Sequence, residues 1–403
     1  MFQIILFLTL IFIFLEILIL ILFKNFKQSF QWLISDEDIN PKFSKKKFNN
    51  FLRKSFDTKL GWDRKASTSG HEFSNRKTFF TINQLGFRGR KKFKVNKMSV
   101  FGDSFAFCRY VNDHETWEHH LSKKIKGNVS NYGVGNYGLD QAFLKYLRYK
   151  KKLKNQKIIF CVVPETIARV FSYWKHFREY KNIFAIKPFI KISRRGYQIH
   201  KIPKLETNTI NKDYLRFDQI FLKKVIKKDI YFNLKFKKNI FKFPYSISFT
   251  KRFLLNSKIF YYLILHKINN NFLNTNNNQY YNLAYSSVLQ ENIIESHNYY
   301  ETIYFKKNFK NFLNFLDNYF NKKKIKYKIL IIPQYYDLKS NNTRQKYIEF
   351  YKNLENPNII DLSDDILKIR NWSKYFFKNS FGGHLNKSGN KMLSNIIYKK
   401  LKI

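Results

Sequence analysis

Cysteine is nearly missing from this chain. Two in 403 residues, Cys108 and Cys161, give neither a disulfide framework nor metal-ligand spacing, and they leave the redox compartment open. Acidic residues are scarce as well: Asp plus Glu number 28 against 75 for Lys plus Arg, a formal net charge of +47. Such an excess ordinarily raises nucleic acid or anionic lipid as a partner. Here the cations run from Lys24 to Lys402 among Asn, Ile, Phe and Tyr, as an AT-rich coding bias would leave them. No helix-turn-helix, zinc-finger or RNA-binding-sheet signature accompanies them, so no nucleic acid is expected, only a weaker attraction to acidic lipid or glycan. P-loop and dinucleotide fingerprints are also absent, no internal repeat is evident, and no cofactor is expected. The run from His114 to His120 looks at first like a zinc-protease helix. That chemistry needs histidines four apart on one face, whereas His114 and His119 are five apart, about 140° around a helix, so no metal is expected there.

What is present begins with a long apolar run. Phe2 to Phe23 is mostly Ile, Leu and Phe, broken by Gln3, Thr9 and Glu16. It is long enough to cross about 30 Å of hydrocarbon at about 1.5 Å per residue. No basic start and no small-residue cleavage site is visible, which favours an uncleaved, single-pass anchor over a signal peptide. Glu16 within it marks either a packing partner or a protonated carboxyl near one leaflet. Lys24 and Lys27 follow the helix and, read literally, place the body in the cytoplasm, though lysine is abundant everywhere in this sequence.

Residues 24–50 read as a polar tether, and 51–96 as short strands and a turn, among them Leu60 to Trp62 and Thr81 to Gly89. The periodic part starts near Lys97. Strands are predicted at Met98–Phe101, Asn128–Val134 and Lys157–Val163, with helices from Asn112 to Ile125 and from Leu139 to Leu153. The alternation resumes with a helix at Phe309–Phe320, strands at Tyr327–Pro333 and Asn358–Leu362, and a helix over Leu385–Leu401 whose Leu385, Met392, Leu393, Ile396, Ile397 and Leu401 share one face. Apolar strands alternating with helices predict an α/β fold with a parallel sheet covered on both faces. Residues 171–305 interrupt it with aromatics, lysines and an Asn-rich run at 269–278, and read as an insertion. The expected organisation is an anchor at 2–23, a tether and pre-domain strands at 24–96, an α/β domain made of 97–170 and 306–403, and a subdomain at 171–305.

In such a sheet, ligands bind beyond the carboxyl ends of the strands. Ser104 follows the first strand, Gly133 to Gly138 the second, Pro164-Glu165 the third, and His384 precedes the last helix. A serine hydroxyl is a poor nucleophile until a base takes its proton, and histidine is the usual base. Together these residues suggest acyl transfer.

Phe101-Gly102-Asp103-Ser104-Phe105 resembles the first block of the SGNH (GDSL-type) hydrolases. Asn131 to Gln141, with Gly133, Gly135, Asn136 and Gly138, resembles the second, and Gly383-His384-Leu385-Asn386 with Gly389 resembles the last. Asn83 to Gly89 is similar to a segment found ahead of this domain in membrane-anchored members. The resemblance implies a flavodoxin-like three-layer αβα sandwich, an extracytoplasmic setting, Ser104 as nucleophile and His384 as base. It also implies oxyanion donors from the backbone N–H groups of Ser104 and of Asn136, or Gly135 if the loop is shifted. Two departures stand out. The family's third-block asparagine falls nearest Glu165, and an ionised carboxylate cannot donate; Glu165 then donates as a neutral acid, binds substrate, or holds structure. The family's aspartate three residues before the histidine is Phe381 here, leaving Asn379 or a backbone carbonyl to orient His384, or a dyad. Asp103 is expected to hold the first-block loop rather than to move protons. Trp174, Lys175 and His176 are read as cleft-lining residues or an amphipathic helix surface. The implied function is ester hydrolysis through a seryl intermediate, on a lipid, an acetylated glycan or a small ester. The alternatives are O-acyl transfer on the same fold, or a non-catalytic binding or scaffold protein.

Overall fold

A computed structural model describes residues 1–73, 76–153, 156–193, 196–272, 278–377 and 383–402. The chain divides into two compact units, one of residues 1–49, 172–186 and 203–292, the other of residues 50–171, 187–202 and 293–403.

The second unit carries a mixed α/β fold around a parallel sheet. Its strands are β1 (Asn96–Gly102), β2 (Asn128–Asn131), β3 (Lys157–Val162), β4 (Tyr327–Ile331) and β5 (Ile359–Asp361). They lie in the order 2-1-3-4-5, every neighbouring pair parallel. This is one of the doubly wound orders, with its switch point between β1 and β3. In register, Gly102 stands opposite Cys161, and Ile331 opposite Val162.

Period-two alternation assigns the two faces of the sheet. Met98, Val100, Ile159, Cys161 and Leu330 pack with Trp117, Leu121 and Ile125 of α2 (Trp117–Ile125) and with Met392, Leu393 and Ile397 of α7 (Lys387–Lys400). Phe101 and Phe160, on the other face, meet rings from α3 (Leu139–Tyr149) and α5 (Ile303–Lys322). Phe101 lies edge-on to Tyr146, and Phe160 packs on Phe320. Aromatic side chains bury large areas and tolerate edge-to-face contact, which suits a chain with 44 phenylalanines. Between these elements lie the short α1 (Ser104–Phe107) and α4 (Thr166–Phe171) and, later, α6 (Asn341–Lys352).

The helix expected from Asn112 is divided. Asn112 and Glu115 form a capping box over one short turn, and Thr116 then caps α2 by accepting from His119 N. The pre-domain residues form a hairpin, Thr68–Phe73 with Lys77–Ile82, and Arg88 bridges to Asn131 of β2, extending the sheet edge. Residues 187–202, expected within the insertion, supply this unit with another hairpin, Phe189–Ser193 with Gly196–His200.

In the first unit, Phe2–Lys27 is a helix of 26 residues, long and apolar enough to cross a membrane. Its last turns are part of a core: Phe23, Phe26, Phe30 and Leu33 pack with Phe241, Ile259, Phe260 and Leu263. Residues 24–49, expected as a tether, are folded instead. Lys27 pairs with Asp38, Asp38 accepts from Ser35 N at 2.8 Å, and the strand Phe43–Ser44 pairs with Tyr214–Phe217. Of the two readings of Glu16, the geometry matches the packing partner: Glu16 is buried and accepts from Tyr245 N and Ser246 N at 2.5 and 2.8 Å.

Gly102 ends β1 where it passes β3 so closely that a Cβ would lie 1.8 Å from Cys161 O. A backbone atom in a central strand cannot yield. Gly102→Ala should therefore destabilise the α/β unit by about 3 kcal/mol or more, at the upper end of overpacking costs, seen as a lower midpoint in thermal or urea unfolding.

Candidate active site

The end of β1 feeds directly into α1, and the residue between them, Asp103, is the N-cap: its Oδ1 accepts from Phe105 N at 2.8 Å. A carboxylate suits that place because it answers orphan N–H groups and the positive end of the helix. The other oxygen accepts from Val163 N beyond β3 at 2.9 Å and from Arg169 Nη1 at 3.2 Å. Asp103 is wholly buried, and burial pushes its carboxyl up from the ordinary value against the opposing pull of Arg169 and these N–H groups. This cap sets Ser104 at the first position of α1, at the carboxyl end of β1 beside the switch point.

His384 reaches the same edge from the other end of the sequence. Its Nε2 lies 2.8 Å from Ser104 Oγ, and both side chains are nearly buried, each residue 7% exposed. The imidazole stacks on Phe105, with ring centroids 4.9 Å apart, and meets Tyr110 edge-on at 5.4 Å. The rest of the last motif explains itself by placing this ring. Gly383 has φ +57° and a Cβ there would lie 2.2 Å from Tyr335 Cβ, so only glycine fits. Asn386 caps α7 by accepting from Gly389 N at 2.9 Å and donates to Lys374 O at 2.7 Å. Phe377 N donates to His384 O at 2.8 Å. Asn379 and Phe381 lie outside the described residues.

The loop after β2 is tied to β1 by Val134 N on Gly102 O at 2.9 Å. It is held from outside by Trp62 Nε1, which donates to Gly135 O at 3.0 Å. Asn136 takes the left-handed conformation, φ +68°, which asparagine tolerates better than most residues. Space for a Cβ at Gly135 is open, and both Gly135 and Asn136 are half-buried. Glu165 is an ion-pair partner: its Oε2 accepts from Arg169 Nη2 at 2.7 Å, while Arg169 Nη1 also reaches Tyr137 O at 3.3 Å. Arg169 thus touches the ends of all three strand loops. Trp174, Lys175 and His176 belong to the other unit and are buried there. His176 Nε2 lies 2.7 Å from Asp38 O and burial lowers its pKa to about 4, so the expectation of an amphipathic helix surface is corrected to a core position.

Several positioning residues escaped the sequence reading. Arg88 is buried and donates to the carbonyls of Phe107, Cys108 and Val111 while pairing with Asp113 at 2.8 Å, so one guanidinium holds the loop that follows the serine. Glu72 accepts from Arg109 Nε at 3.0 Å and from Tyr110 N at 2.9 Å, fixing the wall against the imidazole. Although burial acts to raise it, Arg109 and Arg64 hold the Glu72 carboxyl below its ordinary value. His297 and Asp337, both wholly buried and 2.8 Å apart, fasten the end of β4 through Gln334 N, next to Tyr335, whose N–H donates to Gly383 O. The signal for Arg88 was its place in the 83–89 segment; the others had none.

Compared with known proteins, the chain matches no family model and no curated sequence. What the site can do therefore rests on its geometry: a hydroxyl with a base in hydrogen-bond reach, at the start of a short helix, with both residues nearly buried.

Behind this loop, Cys108 caps α1 and its thiol donates to Glu118 Oε2 at 3.1 Å. Burial pushes the Glu118 carboxyl from 4.5 up to about 8. The folded state thus holds a proton that the unfolded chain releases near 4.5. The resulting stability is complete at lower pH and is lost as pH rises toward about 8. Unfolding midpoints measured from pH 5 to 9 should fall by an amount corresponding to on the order of a few kcal/mol, and Glu118→Gln should flatten that dependence.

Proposed function

We propose that the protein is an SGNH-type serine hydrolase that cleaves an acyl ester through a seryl acyl-enzyme, with Ser104 as nucleophile and His384 as base. The observation that carries this reading is the 2.8 Å contact between Ser104 Oγ and His384 Nε2, two residues 280 positions apart in the chain. The strand order 2-1-3-4-5 and the placement of three motif loops at one edge agree with the flavodoxin-like SGNH sandwich that the motifs resemble.

In the first step, Ser104 Oγ attacks the ester carbonyl carbon and its proton passes to His384 Nε2. The carbonyl oxygen takes the negative charge, and the N–H groups of Ser104 and of Asn136 or Gly135 are the proposed donors to it; each such donor is typically worth about 3 kcal/mol. The alkoxide then leaves with the proton from the imidazolium, giving acyl-Ser104 and an alcohol. Water attacks the acyl group, giving its proton to His384, and the serine departs protonated as the acid is released. Asp103 takes no proton in this scheme, because its oxygens are committed to Phe105 N, Val163 N and Arg169. Glu165 pairs with Arg169 and is assigned to holding that arginine, and the donors assigned to the oxyanion are backbone N–H groups.

The substrate class is an acyl ester of a lipid, an acetylated glycan or a small alcohol. A sugar hydroxyl in place of water turns the same intermediate into O-acyl transfer. The N-terminal helix is read as an uncleaved anchor, because its end is built into a folded core, and the catalytic unit is assigned to the extracytoplasmic side. One observation favours a second reading, a non-catalytic binding protein: the third loop offers a carboxylate engaged by arginine where the family supplies an amide donor.

A fluorophosphonate probe, which phosphonylates activated serines with loss of fluoride, separates the two. The full chain should be labelled, Ser104→Ala should abolish labelling, and His384→Ala should slow it by on the order of 10⁴-fold or more while leaving the circular dichroism spectrum unchanged. An unlabelled but folded wild type would sink the hydrolase and favour the binding protein.

A further inference from the structure

We infer that residues 243–254 of the first unit are inserted in the same bilayer as the N-terminal helix, with Phe243, Ile247, Phe253 and Leu254 against lipid acyl chains. The inference rests on the reading of that helix as a membrane anchor and is independent of the hydrolase reading.

Depth is set by Glu16. It lies eight residues before Lys24, about 12 Å along the helix at about 1.5 Å per residue, so it sits well inside the hydrocarbon if Lys24 marks the polar boundary. A carboxylate there is costly unless the protein answers it. The protein does so with the first turn of the helix Tyr245–Thr250: Tyr245 N and Ser246 N donate to its two oxygens, and Ser246 Oγ donates as well. Whatever holds Glu16 must lie at the depth of Glu16.

The side chains around that turn suit lipid. Phe243 is 68% exposed, Ile247 52%, Phe253 56% and Leu254 80%, beside an N-terminal helix whose apolar side chains are themselves mostly exposed. Hydrocarbon cannot satisfy backbone polar groups, and within the segment Ser248 N donates to Pro244 O and Lys251 N to Ile247 O, each at 3.2 Å; at its start Lys242 N donates to Ser248 Oγ at 3.2 Å, which donates to Lys242 O at 2.8 Å. Lys242 and Lys251 are exposed and long enough to reach anionic headgroups by snorkelling. The result is a short re-entrant wedge beside a single span, which fixes this unit's height and rotation at the membrane as a lone helix does not.

The test uses the full chain in phosphatidylcholine vesicles containing one part in five of phosphatidylglycerol. Single Phe12→Cys, Ile247→Cys, Leu254→Cys and Lys212→Cys variants are labelled with an environment-sensitive fluorophore; the native Cys108 and Cys161 are buried and stay unlabelled. Labels at 12, 247 and 254 should emit to the blue of the label at 212 and lose intensity to doxyl lipids but not to iodide. If 12 behaves so while 247 and 254 respond to iodide, the anchor stands and the wedge falls. Iodide quenching at 12 overturns the anchor and the wedge together. Shielding of 254 from both quenchers would mean that a protein surface, such as a second copy, covers the patch, and would overturn the lipid assignment.

Discussion

One buried carboxylate organises the α/β unit. Asp103 sits between the first strand and the helix that carries Ser104, and its two oxygens bind in two directions: Oδ1 caps that helix, while Oδ2 crosses the switch point to Val163 N and Arg169. A doubly wound sheet opens a crevice at this point because the chain leaves it toward opposite sides. Without a polar bridge the crevice would hold orphan N–H groups. Asp103 answers them, and the hydroxyl of the next residue is held 2.8 Å from His384 Nε2. The dependence runs outward from there. Arg169 is fixed by Asp103, Glu165 is fixed by Arg169, and the loop after β2 is held through Tyr137 O.

The sequence showed as much of this as period and motif can carry. All five strands of the parallel sheet and four of the helices around it were readable because nearly apolar runs such as KIIFCV admit little else in an α/β alternation, whereas the helix Asn341–Lys352 was not. Ser104 and His384 were readable because glycines and a capping asparagine flank them for steric reasons that leave a pattern. The supports were not. Nothing in a window around Arg88 says that its guanidinium meets three carbonyls some twenty residues later, and nothing around Glu72 points to Tyr110. The folding of residues 24–49 was hidden for a related reason: a lysine-rich, polar stretch reads as solvated, yet Phe30, Leu33 and Phe43 supply enough burial to fold it against partners near residues 215–263.

Glu16 shows the same limit. An acid in an apolar run is an anomaly in the sequence, and its resolution lies about 230 residues away in Tyr245 and Ser246. The anomaly was legible; the answer was not, because a hydrogen bond to backbone N–H leaves no mark on the identity of the donor residue.

A finer signal was present in the choice of cation. Lysine serves where one ammonium meets one buried carboxylate: Lys145 pairs with Asp63 at 2.7 Å, an acid that Arg148 Nη1 also reaches at 3.1 Å, and Lys187 pairs with Asp140. Where several acceptors converge from different directions, this chain uses arginine, as at Arg88 and Arg169. A lysine ammonium is a compact point charge, whereas a guanidinium presents five donors in a planar fork and can join carbonyls and carboxylates that are several ångströms apart. In a composition that otherwise drifts to lysine, an arginine is therefore held in place by geometry. The same reasoning predicts which conservative exchange fails: Arg88→Lys keeps the charge but can reach only part of its carbonyl set, so the loop behind Ser104 loosens although the net charge is unchanged.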